Sequence, residues 1–87
     1  MKVSVWDTYV TKKDGAIMHF DILVHEQEKE DGKILGYGKA YLKSKGQEGQ
    51  PLTSKECNFC HVENAADEVA LSINERGYYI VEMQGCQ

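Results

Sequence analysis

Two runs of β-branched and aromatic residues flank an Asp14-Gly15 pair, and this arrangement limits the possible folds more than any other feature of the chain. Residues 3–10 (Val-Ser-Val-Trp-Asp-Thr-Tyr-Val) and residues 17–24 both read as strands. Asp-Gly favours a two-residue type I′ hairpin loop, because both central positions of that turn need positive φ. A turn of that type places Val5 opposite Val24, Asp7 opposite Ile22 and Tyr9 opposite Phe20, with Asp7 among apolar neighbours. A carboxylate in such surroundings is a candidate general base with a raised pKa. The commoner alternative is a structural carboxylate, bonded to a loop or turned to water by a one-residue bulge. No partner base for Asp7 is legible in the sequence.

After the hairpin, the acidic residues 26–31 precede Ile34, Leu35, Gly38, Tyr41 and Leu42 at three- and four-residue spacing, which predicts an amphipathic helix ending at Gly46. Gly32, Gly36 and Gly38 each weaken it by up to about 1 kcal/mol relative to alanine, so packing must hold it. Tyr37 and Tyr41, four apart, read as core stripe before they read as a stacking surface for a ligand. Lys39, Lys43 and Lys45 fall where cations complement the helix dipole. Residues 47–54, with Gly49 and Pro51, form a connection. Asn64 then reads as the N-cap of a second helix carrying Val69, Leu71 and Ile73, Gly77 as its C-cap, and residues 78–83 as the last strand. The reading is an α+β domain of order β-β-α-α-β over residues 1–87, in two layers, with a short sheet covered by two helices.

At 87 residues the chain supports one core. Its formal charge of -4 disfavours nucleic acid and anionic membrane partners. No run approaches the roughly 20 apolar residues of a membrane span. The N-terminus enters a strand without the apolar segment of a signal peptide, so a cytoplasmic location is expected. Three cysteines are an odd number, which suits a reducing compartment. No phosphate loop, nucleophile triad or basic stripe is present, and an enzymatic role is not expected.

Chemistry concentrates in a Cys-x-x-Cys-His block, Cys57, Cys60 and His61, and in Cys86 near the C-terminus. A helix of about 18 Å followed by a returning strand of about 23 Å would bring all four residues to one end of the domain. They are candidate zinc ligands, four in number as a tetrahedral site requires. Adjacent Cys60 and His61 strain such a site, which leaves His19 or His25 as substitutes, or a three-liganded open site. Cys57 and Cys60 are alternatively a thiol-disulfide pair with Cys86 resolving. Haem attachment, with His61 and Met83 or Met18 as axial ligands, fits the letters but not the missing export signal. The bland alternative is that small, buried cysteines have no reaction to perform.

The segments Val5-Trp6-Asp7-Thr8-Tyr9-Val10, His19-Phe20-Asp21, Glu56-Cys57-Asn58-Phe59-Cys60-His61, Gly77-Tyr78 and Glu82-Met83-Gln84-Gly85-Cys86 together resemble a family of short bacterial proteins catalogued as a domain of unknown function. The resemblance spans nearly the whole chain. It implies a small α+β domain in which the cysteines and His61 occur as a set, and it carries no established activity. Gly36 and Gly38 depart from the pattern, where helix formers are expected. The function is therefore left as a small domain with a Cys/His site, alternatively a zinc-binding module, alternatively a thiol-disulfide protein.

Overall fold

The computed structural model describes residues 1–87. Its elements are β1 (Lys2–Thr11), β2 (Ile17–His25), α1 (Asp31–Ser44), β3 (Cys57–Asn64), α2 (Asp67–Arg76) and β4 (Tyr78–Gln84). The α+β class and the two helices are as expected, and β3 is an added strand. The four strands form one antiparallel sheet in the order β3-β1-β2-β4.

The hairpin is present, but its loop is one residue longer than a type I′ turn. Gly15, at φ 89°, donates its N–H to Lys12, and Lys12 donates to Ala16. That is a type I turn closed by a left-handed glycine, which leaves a three-residue loop. The register slips by one: Asp7 faces Asp21 rather than Ile22, Tyr9 faces His19 and Val5 faces Leu23. Asp7 thus leaves apolar company for polar company.

Alternation along the strands produces two cores, one on each face. Val10, Met18, Phe20, Ile22 and Val24 pack against Ile34, Tyr41 and Leu42 of α1. Val3, Val5 and Leu23 pack against Val69 and Ile73 of α2 on the other face. The helices therefore flank the sheet, which makes three layers where two were expected.

Helix α2 begins just after Asn64, which pairs with Lys2, and ends just before Tyr78, which pairs with Val24. Lys2 and Val24 lie at the same end of the central hairpin, remote from its loop. Ten residues cover about 15 Å, close to the roughly 14 Å across four strands, so α2 lies across the strands rather than along them. Its N-cap is Ala66, without a side-chain cap bond, and Asn64 is the last residue of β3. The loop-side half of this face has no helix over it.

The glycines of α1 divide in two. A Cβ on Gly38 would stand 2.6 Å from Leu52 Cδ2 and 3.0 Å from Ile22 Cδ1, so the bare backbone is what lets the connection's Leu52 and β2's Ile22 pack onto α1. Gly36 faces open space. Gly36→Ala is expected to stabilise the domain by about 0.5–1 kcal/mol, and Gly38→Ala to destabilise it by about 1–3 kcal/mol. Urea midpoints for the two variants moving in the same direction would contradict this.

Candidate functional site

The uncovered half of the α2 face carries Asp7 from β1 and His19 and Asp21 from β2, all partly buried. His19 Nε2 lies 2.9 Å from Asp7 Oδ1 and 3.8 Å from Asp21 Oδ1. One ligand atom from each residue lies within 4.8 Å of the other two. Tyr9 stacks on the His19 ring, with centroids 4.1 Å apart and planes at 11°, which fixes the orientation of the imidazole.

The two carboxylates are driven apart. Burial, reinforced by the Asp7 carboxylate opposite, pushes Asp21 up to about 6. The hydrogen bond from His19 is the main influence holding Asp7 below its ordinary value. Asp21 Oδ1 is buried and has no hydrogen-bond partner, an arrangement that leaves charge unsatisfied once the group ionises.

The set offers one imidazole nitrogen and two carboxylate oxygens. Metal bonds of about 2.0–2.1 Å in a tetrahedron separate ligand atoms by about 3.3–3.4 Å, and the observed 2.9 and 3.8 Å straddle that edge. Without a metal, the same groups can hold and pass a proton between unequal carboxylates.

The four Cys/His residues occupy separate environments. Cys57, at the start of β3, is buried in the α1-side core, and burial pushes its thiol up. Cys86 is buried in the same core, where its thiol donates to the His19 carbonyl oxygen at 3.3 Å. Both lie at the loop end of the sheet, but not for the reason that the helix and strand lengths suggested: α2 runs across the strands, and it is β3 whose length offsets that of β4. They nevertheless flank opposite edges, because β3 and β4 are separated by β1 and β2. Cys60 and His61 are exposed on β3, with Sγ 3.1 Å from Nδ1. Only this last pair comes together, and the four do not converge as one ligand set. All three thiols are free. His25, the other substitute considered, instead accepts a hydrogen bond from the Gln27 backbone N–H.

Fold and site define a small α+β domain with a polar His/Asp/Asp cluster on the half-covered face of an antiparallel sheet. The chain belongs to the family described as Domain of unknown function (DUF2024), whose model matches residues 1–83. It is similar to the NMR structure of protein NE1680 from Nitrosomonas europaea, a Northeast Structural Genomics Consortium target, with 46% identity, 100% of each chain covered and a TM-score of 0.86. No curated protein matches the chain. The sequence resemblance is thus borne out over nearly the whole length. No helix is long and apolar enough to cross a membrane.

Proposed function

We propose that this domain binds a divalent transition-metal ion through Asp7, His19 and Asp21. The observation that carries the reading is the buried, unpartnered Asp21 Oδ1 beside the imidazole, an oxygen for which a cation is the natural partner. Imidazole with carboxylates suits zinc, manganese or ferrous iron better than it suits soft cuprous ions. Three protein ligands leave a coordination position for water or substrate, as in catalytic rather than structural sites.

Calorimetric titration of chelator-stripped protein with Zn²⁺ and with Mn²⁺ tests this. One ion per chain is expected, with affinity falling at least about 100-fold in Asp21→Ala and in His19→Ala. Unchanged affinity in both variants would defeat the proposal. Loss of binding in Cys57→Ser or Cys86→Ser instead would move the metal to the Cys/His residues.

A further inference from the structure

On the exposed edge strand β3, three side chains form a relay outside the proposed ligand set, although His61 is close enough to act electrostatically on Asp7 and Asp21. His61 Nε2 lies 2.7 Å from Glu63 Oε1, and His61 Nδ1 lies 3.1 Å from Cys60 Sγ. A carboxylate on Nε2 keeps the proton on that nitrogen, so the neutral ring presents Nδ1 as an acceptor to the thiol. This is the order of nucleophile, base and orienting acid used by thiol enzymes, here compressed into four residues.

The backbone contributes as well. Val5 pairs with His61 and Trp6 with Phe59, so Cys60 is the extra residue of a β-bulge and has no partner across the ladder. A bulge of this kind re-aims a side chain and recurs beside reactive sites. The other two thiols are enclosed, Cys57 at 4% and Cys86 at 6% exposure, whereas Cys60 is open to solvent.

We propose that Cys60 is a nucleophilic thiol, served by His61 as base and Glu63 as the positioning residue, that exchanges with small disulfides. The Cys60 S–H proton passes to His61 Nδ1 while the sulfur attacks one sulfur of the incoming disulfide. The Cys60–sulfur bond forms, the incoming S–S bond breaks, and the departing thiolate takes the proton from His61. Cys60 is oxidised to a mixed disulfide and the other half of the reagent is reduced to a thiol.

The probe is an aromatic disulfide such as dithiobis(nitrobenzoate) at pH 7, in the presence of chelator, with the modified residue located by mass spectrometry. Free thiols are only a few per cent ionised at that pH, so Cys60 in the folded chain is expected to react about tenfold faster than the same residue in the denatured chain. His61→Asn is expected to remove that advantage, and Glu63→Gln to reduce it partly. Both residues are half-exposed, so the variants should fold, and circular dichroism checks this. Reaction of Cys60 at the denatured-chain rate, or an equal rate in His61→Asn, overturns the proposal. Chelator keeps the proposed metal site empty throughout, so the readout reports the thiol alone.

Discussion

Phe20→Ala is expected to remove about 4 kcal/mol of stability, a large share of the roughly 5–15 kcal/mol that holds a domain folded. The Phe20 ring is fully buried and tilts against Tyr41 at 4.6 Å, in the middle of the cluster that joins α1 to the sheet. Its strand neighbours His19 and Asp21 point to the opposite face, so the ring also anchors the segment that presents two of the three candidate ligands. Urea unfolding measures the loss. A drop below about 1.5 kcal/mol would mean that the α1-side core collapses around the cavity, and that Phe20 is not what holds β2 in place.

Asp21→Asn is expected to act in the opposite direction, raising stability at pH 7 by about 2 kcal/mol. The carboxyl ordinarily titrates near 3.8 and is raised to about 6 here, chiefly by burial. A raised carboxyl binds its proton more tightly in the folded chain, so folding is favoured at low pH and penalised as pH climbs from about 4 to 6. Two units correspond to about 3 kcal/mol, and the side chain's 16% exposure lets water screen part of that. Asp7 works the other way: its lowered value stabilises the fold above the ordinary carboxylate range and is lost as pH falls through the folded value. Asparagine copies the protonated Asp21, so wild type and variant should agree near pH 3.5 and diverge above pH 6 when chelator is present. Equal stability at pH 7 would mean that the ionised group is satisfied in the apo protein. Saturating metal should reverse the ranking, because only the wild type keeps the full ligand set.

How far the sequence disclosed this molecule depended on which residues are covered. The hairpin strands were plain because one face of each is packed along its length, and the turn was plain from Asp14-Gly15. The register was not, since two- and three-residue loops both accept that pair, and one residue of slip exchanges Ile22 for Asp21 opposite Asp7. Strand β3 was missed because only Cys57 of its eight residues is buried, so no period of two is written into it. The Cys/His block stands out by its letters, yet Cys57 within it and Cys86 beyond it both face the core. Asp7 stood out only as a lone carboxylate and His19 only as a substitute ligand; Asp7 lies 12 and 14 residues before His19 and Asp21, and only the true register brings the three together. Gly38 reads as a helix weakness and is instead where Leu52 of the connection and Ile22 of β2 close on α1.

The crosswise lie of α2 implies a map of mutational tolerance. On that face, positions 3, 5 and 23 answer to the helix, while positions 7, 9, 19 and 21 belong to neither apolar cluster. A saturation scan scored for folding alone should find the first set restricted to apolar residues of similar volume and the second set permissive. The loop-side half of the sheet can thus exchange its chemistry without renegotiating the core.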